Sequence, residues 1–387
     1  MASTICAIIP TYNRAAMLRE CLNSVLAQSR KVDQVIVVND GSTDDTDQVV
    51  KSYGDKITLF TKSNGGKSSA INFALPRCKA DYVWICDDDD IAAPDGLEQL
   101  AAALDTDAGA GFAYGSFKIF SDNTSHYLFT PPTYWARAAE PNPRINFFEE
   151  MFTFQFAMLV RASLYRETGP FREDLHRSED YEMALRLSRH AKAIYVPKVI
   201  FYQRKHDGVR GTRADEFAAG RNVEKWLRYD QKIFQKMRKG YELEEFTPTF
   251  ALNKPLAQRA AYVQRGCVFA QRALWSEAIE DFRAATVLDA GPATPEELQL
   301  AEAVIRNPLA WKALADNTDW KNGLRAVYQA NEYGRQLIFS ICRPLLWNAR
   351  GMLKSANIPG ATSMLSTLVS ITGMHGAISR VLASLRN

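Results

Sequence analysis

An α/β fold is predicted: a mixed, mostly parallel sheet with helices on both faces, followed by an all-α region. Three observations predict it. Over the first 90 residues, short β-branched runs alternate with helix-like spacing, as strand–helix–strand units do. The loops after four successive runs are polar, and open sheets of this type bind ligands outside the carboxyl ends of their strands. From residue 215 onward, the readable periodicity is helical.

Taken in order, Ile5–Ile9, Val35–Val38, Ile57–Thr61 and Tyr82–Cys86 are the first predicted strands, apolar enough to be buried on both faces. Between them, helices are expected over Ala15–Gln28, Thr43–Ser52 and Lys67–Leu75; the first carries Met17, Leu18, Cys21, Leu22, Val25 and Leu26. The intervening loops read Pro10-Thr11-Tyr12-Asn13-Arg14, Asn39-Asp40-Gly41-Ser42-Thr43-Asp44-Asp45, Ser63-Asn64-Gly65-Gly66-Lys67-Ser68-Ser69 and Asp87-Asp88-Asp89-Asp90. Singly, each has an ordinary explanation. Ser42 or Thr43 can cap a helix, Asn64-Gly65 is a good turn, and the aspartates can form a solvated acidic turn. Together on one sheet edge, they predict a shared binding site.

Four carboxylates at the tip of a buried strand are costly unless a cation sits among them. A divalent metal carrying phosphates is such a cation, since hard cations bind through one or two carboxylates plus substrate phosphates. Gly66-Lys67-Ser68 is not a nucleotide-triphosphate loop, because that motif needs a glycine where Thr61 stands.

Further along, a helix is expected over Asp95–Leu104 and a strand over Gly111–Phe120. Ser121–Phe148 reads as irregular and aromatic, with Tyr127, Phe129, Tyr134 and Trp135 among prolines. Phe152–Val160 reads as a strand. Ser178-Glu179-Asp180-Tyr181-Glu182 opens a helix, with acids where helix N-termini favour them. Ile194–Val196 and Val199–Tyr202 look like two closing strands before Gln203-Arg204-Lys205-His206.

Four motifs, in this order and spacing, resemble those of family 2 glycosyltransferases of the GT-A fold, over residues 4 to about 207. They are Ile9-Pro10-Thr11-Tyr12-Asn13-Arg14, Val37-Val38-Asn39-Asp40-Gly41-Ser42-Thr43-Asp44, Asn64-Gly65-Gly66 with Ala70-Ile71-Asn72, and Asp87–Asp90 followed by Pro94. The resemblance implies a metal-dependent inverting enzyme, hexosyl-transferring in type, using a nucleotide-diphosphate sugar with UDP-sugar favoured. It places Pro10, Thr11, Tyr12, Arg14, Asp40, Lys67, Asp87 and Asp88 around that donor. Asp89 and His206 would hold Mn²⁺ or Mg²⁺. Asp180 would be the general base, with Glu179 and Trp135 on the side of a saccharide or lipid-linked acceptor. Arg210 and Arg213 would close over phosphate. The chain departs from the family pattern at Ile71, where an arginine often precedes the asparagine. It also lacks Q-x-x-R-W, so a single-addition, non-processive bacterial-type transferase in cell-surface polysaccharide or glycolipid synthesis is expected.

Two other classes fit less well. A sugar-phosphate nucleotidyltransferase wants a glycine- and basic-rich first loop and leaves Glu179-Asp180 unexplained. An inactive transferase-like adaptor fits poorly with two intact carboxylate motifs.

The 387 residues, 47% hydrophobic and 24% charged with net charge +3, suit a globular protein and give no global argument for nucleic acid. Six scattered cysteines without C-x-x-C read as buried thiols in a reducing compartment. No signal peptide or membrane-spanning run is predicted, so a cytoplasmic location is expected. Three regions are expected: 1–214 catalytic, 215–332 helical with one tetratricopeptide-like hairpin at 262–290, and 333–387 a basic amphipathic tail. From Lys321 onward eight Lys/Arg face one acid, Glu332. The tail sets Leu337, Ile338, Ile341, Leu345, Leu346 and Trp347 among Arg335, Arg343, Arg350 and Lys354. Such a helix can contact an anionic membrane at its inner face, or dock on the protein's own helices.

Overall fold

The computed structural model describes residues 3–121, 143–205, 222–288 and 291–384. Two compact units emerge, Met1–Asn222 and Val223–Asn387.

Among the described residues, the first unit is built on an eight-stranded sheet. Its strands are β1 (Ile5–Thr11), β2 (Gln34–Asn39), β3 (Thr58–Thr61), β4 (Tyr82–Ile85), β5 (Ile91–Ala92), β6 (Ala110–Ser121), β7 (Met158–Arg161) and β8 (Lys192–Lys205). They lie in the order β3-β2-β1-β4-β7-β6-β8-β5. β1 to β4 are mutually parallel, as are β6 and β8; β7 runs antiparallel between β4 and β6, and β5 antiparallel to β8. The helices are α1 (Ala15–Leu26), α2 (Thr46–Lys51), α3 (Lys67–Ala74), α4 (Gly96–Thr106), α5 (Pro143–Glu149), α6 (Ala162–Thr168) and α7 (Glu179–His190).

The predicted class is the observed one, a mixed, mostly parallel sheet with helices. β1 is buried along its whole length, as a strand covered on both faces must be. α1 turns Leu18, Cys21, Leu22 and Val25 into the core, at the helical spacing that brings such residues onto one face.

Three expectations need correction. β3 is not buried on both faces, because it lies at the edge of the sheet with Thr58 and Thr61 exposed. Phe152–Val160 is not one strand: Gln155–Ala157 is a 3₁₀ turn and only Met158–Arg161 pairs. The aromatic residues before it pack inward instead, Phe152 against Tyr114 and Phe147, and the Phe156 carbonyl accepts the Trp84 indole N–H at 2.9 Å. The two closing strands are a single one, β8, whose register against β6 slips between Gly115 and Ser116. Pro197 sits at that slip and has no N–H to give the ladder, so the strand bulges and resumes. Strand β5 and helices α5 and α6 carried too few residues to read from periodicity.

The second unit is all-helical, as expected: α8 (Asn222–Gly240), α9 (Ala257–Ala270), α10 (Trp275–Thr286), α11 (Pro295–Glu302), α12 (Pro308–Asp316), α13 (Thr318–Ala330), α14 (Glu332–Lys354) and α15 (Ile358–Ser384), the last kinked at Gly373. α9 and α10 form the hairpin read from Tyr262, Gly266, Phe269, Ala278, Phe282 and Ala285, all buried except Tyr262, which is half-buried. Gly266 permits the close approach, because a Cβ there would lie 2.6 Å from the Phe282 ring. Arg259 and Glu297 form a fully buried ion pair at 2.9 Å, with Tyr333 donating to the same carboxylate. α14 continues through Pro344, and Leu337, Ile338, Ile341 and Leu345 are buried where α14 meets α11, α13 and α15.

Candidate active site

Because β1 to β4 are parallel, the loops at their carboxyl ends share one edge of the sheet. The first two loops are cross-linked. Asn13 accepts from the Thr43 N–H at 2.7 Å, and its own N–H donates to Ser42 Oγ at 2.9 Å. The Ala15 N–H donates to Asp44 at 3.0 Å. Ser42 and Thr43 therefore tie two loops together, and Asp44 receives the Thr46 N–H at the start of α2. Asn13 has φ +53°, the left-handed region that asparagine enters more readily than most residues.

Asp40 is buried, and its carboxylate is spoken for by the third loop. It accepts from Lys62 Nζ at 2.8 Å and from the backbone N–H groups of Gly65 and Gly66 at 3.0 and 2.7 Å. Gly41, with φ +81°, leaves room for that loop, since a Cβ would come within 3.0 Å of the Asn64 nitrogen.

The four aspartates after β4 have four different settings. Asp87 pairs with Lys67 Nζ at 2.5 Å. Asp88 and Asp89 share one guanidinium nitrogen, Arg14 Nη1, at 2.8 and 2.9 Å. Asp90 is buried and accepts the Arg204 N–H at 2.8 Å, while Arg204 Nε donates to the Asp89 carbonyl at 2.9 Å. Burial pushes Asp88 above the usual carboxylate range, with Arg14 opposing and Asp89 reinforcing. Burial, then Asp89 and Asp87, push Asp90 well above it. For Arg14, burial disfavours the charge, but Asp88 and Asp89 outweigh it and hold the guanidinium more firmly protonated than usual.

Lys67, at the start of α3, also reaches Glu179 at 3.7 Å. Its ammonium is held protonated despite burial by Asp87, Glu179 and Asp180. Removal from water pushes Glu179 up to about 7 against the pull of Lys67, and neighbouring Asp180 adds to the rise. Asp180 is raised as well, by burial first, with Lys67 opposing and Asp87 adding. Ser178, just before this pair, has φ +56°. That left-handed serine costs on the order of 1 kcal/mol and re-aims the chain at the N-terminus of α7. The approach to it is pinned by Asn72, which donates to the Phe171 carbonyl and Glu173 at 2.9 Å each and accepts the Phe171 N–H at 2.8 Å.

Among the described residues, Ser68 Oγ is buried with no hydrogen-bond partner, while Thr11 Oγ1 and Asp88 Oδ2 are buried near each other without a bond of full geometry. Buried polar atoms are nearly always satisfied, so these three atoms at the ends of β1 and β4 and the start of α3 mark a place for a polar ligand.

Comparison with known proteins agrees with this geometry. Residues 6–169 match glycosyl transferase family 2. The chain carries a glycosyl transferase family 2 domain. An uncharacterised glycosyltransferase of Rickettsia typhi is 31% identical over 203 residues, covering 52% of this chain and 63% of that protein. The chondroitin synthase of Pasteurella multocida is 30% identical over 202 residues, covering 51% of this chain and 20% of the synthase. A TarS fragment from S. aureus, solved with UDP-GlcNAc, shares the fold with TM-score 0.54 at 21% identity, over 94% of this chain and 91% of the fragment. The alignments thus cover between about a fifth and two thirds of these curated relatives.

Within the matched residues, Arg14, Asp40, Lys67, Asp87, Asp88 and Asp89 lie along the loops just described, with Pro10 and Thr11 at the end of β1 and Tyr12 just beyond it, while Glu179 and Asp180 open α7, outside the match. Trp135 and His206 lie outside the described residues, as do Tyr127, Phe129, Tyr134, Arg210 and Arg213. Sequence reasoning missed Lys62, whose ammonium meets Asp40 22 residues away, and Arg204, whose backbone N–H meets the Asp90 carboxylate 114 residues away. The signal available was chemical: a buried Asp40 and a buried Asp90 each require a donor.

Proposed function

We propose that the chain transfers one sugar from a nucleotide-diphosphate donor to an acceptor hydroxyl with inversion, using Asp180 as general base and a divalent cation, Mn²⁺ or Mg²⁺. The observation that carries this reading is Lys67. One ammonium touches Asp87 at the strand tip and Glu179 beside Asp180, so donor-side and acceptor-side carboxylates belong to a single site.

In this reading, Pro10, Thr11, Tyr12 and Asp40 cradle the nucleoside, with Asp40 acting through the loop it orders. Asp87 and Asp88 face the sugar nucleotide, and Lys67 meets the diphosphate. Asp180 takes the proton from the acceptor hydroxyl as that oxygen attacks the anomeric carbon and the nucleoside diphosphate departs. One displacement on one face inverts the centre. General-base assistance is worth about 100- to 10,000-fold.

Among the described residues no cluster of three or more His, Cys, Asp or Glu is arranged to hold a metal. Asp88 and Asp89 nevertheless offer hard oxygen ligands, and Asp88 Oδ2 makes no hydrogen bond of full geometry among the described residues. That donor set fits a cation that takes its remaining ligands from donor phosphates, with His206 as a further ligand. Bound there, the cation would supply charge neutralisation for the leaving diphosphate. Arg14 would then give up its bridge and turn to phosphate. Glu179 and Trp135 are assigned to a saccharide or lipid-linked acceptor.

A UDP-sugar is the proposed donor class; UDP-GlcNAc is bound by the TarS fragment, whose likeness to this chain is one of fold. Thermal shift and calorimetry with a panel of nucleotide sugars, with and without Mn²⁺ or Mg²⁺, test the reading. Stabilisation by one nucleotide class, dependent on metal and abolished in Asp89→Asn, is expected. Equal donor binding in excess EDTA would overturn the role given to Asp89.

A further inference from the structure

The last two helices expose a second apolar surface that their own packing does not use. On α14 the side opposite Leu337, Ile341 and Leu345 carries Arg343, Trp347, Arg350 and Lys354, at the three- and four-residue spacing that aligns side chains in one stripe. Trp347 is 50% exposed, and at the turn into α15 Leu353 and Ile358 are 53% and 64% exposed. Of the eight large hydrophobic residues exposed among the described residues, five fall here: Trp347, Leu353, Ile358, Leu365 and Met374. Their surroundings are cationic. Residues 333–387 contain six Lys/Arg and no Asp or Glu. Arg343 is held by Glu302 at 2.5 Å and lies 4.8 Å over the Trp347 ring, which fixes the indole outward.

We propose that the end of the α14–α15 hairpin docks on an anionic lipid bilayer. Leu353 and Ile358 enter the edge of the acyl region. Trp347 lies at headgroup level, where amphipathic rings concentrate, and Arg350 and Lys354 meet lipid phosphates while their stems cover apolar surface. Exposed apolar residues on a hairpin that carries no acid of its own beyond Glu332, with Glu302 of α11 spent on Arg343, fit a negatively charged surface better than an acid-bearing partner protein or a second, equally cationic copy of this hairpin. No helix among the described residues is long and apolar enough to cross a membrane; the contact is interfacial. The face involved is not the one that periodicity singles out, because Leu337, Ile338, Ile341 and Leu345 are spent on the protein's own helices.

The proposal stands apart from the catalytic reading and is tested without it. The full chain is floated with vesicles of phosphatidylcholine alone and with vesicles that also contain phosphatidylglycerol. Binding only to the anionic vesicles, weakened by salt, is expected. At about 1 kcal/mol per basic residue near such a surface, Arg350→Gln with Lys354→Gln lowers the partition coefficient about 30-fold. Leu353→Asp with Ile358→Asp abolishes flotation while circular dichroism and the thermal transition stay as in the parent, since both positions are exposed. Equal partition into neutral vesicles, or flotation of both double variants like the parent, overturns the proposal. So does concentration-dependent dimerisation that Leu353→Asp with Ile358→Asp removes, for that would assign the surface to a second copy.

Discussion

Arg14 supplies positive charge to both Asp88 and Asp89, with one Nη1 serving the two carboxylates. Removing one member of a largely buried charged set leaves the rest uncompensated, at a cost of roughly 3 kcal/mol. Arg14→Met is therefore expected to lower thermal stability in metal-free buffer. Mn²⁺ should restore more of the loss than it adds to the parent, as differential scanning fluorimetry reads. Glu179 gives a second prediction. Its folded pKa is raised from 4.5 to about 7, so the folded state holds this proton more tightly than the unfolded one. The contribution to stability is complete below pH 4.5 and is lost as pH rises through about 7, at about 1.4 kcal/mol per tenfold difference in proton affinity. The unfolding free energy of the parent relative to Glu179→Gln should fall across that window; a flat difference contradicts the assignment. The motif residues were legible because each loop carries its chemistry in five to seven consecutive positions. Lys62 and Arg204 were not, because only the folded chain brings them to Asp40 and Asp90.

Elements with a strong period were read correctly. β1, β2, α1 and α3 follow runs whose apolar spacing has one solution. Phe152–Val160 misled because aromatic residues suit a strand and an inward-packing turn equally, and only the contact of Phe152 with Tyr114 and Phe147 decides between them. The α9–α10 hairpin was visible through Gly266, whose missing side chain admits the Phe282 ring. Gly266→Val should cost roughly 2 kcal/mol by overpacking, seen as a lower denaturation midpoint at unchanged slope. Asn72 links α3, which follows the third loop, to the segment entering α7 through three hydrogen bonds. Asn72→Ala is expected to lower kcat more than it weakens donor affinity, because the donor loops keep their own cross-links while the base loses its support.

At the scale of the whole molecule, the class of fold and the sheet edge that bears the site were legible from alternation and loop chemistry. The strand order was not, since the placement of β7 antiparallel between β4 and β6 depends on pairings across 44 to 79 residues. Donor and metal should protect the loops after β1 to β4 and the start of α7 in hydrogen exchange, by about 2.7 kcal/mol at a hundredfold excess over Kd, while α9 to α13 exchange as before. The measurement that bears most directly on the central claim is the single-turnover transfer rate of Asp180→Asn at saturating donor and acceptor, set beside its donor Kd. A rate about 100- to 10,000-fold below the parent, with donor Kd within about twofold, is the predicted result. A transfer rate equal to the parent's would contradict it.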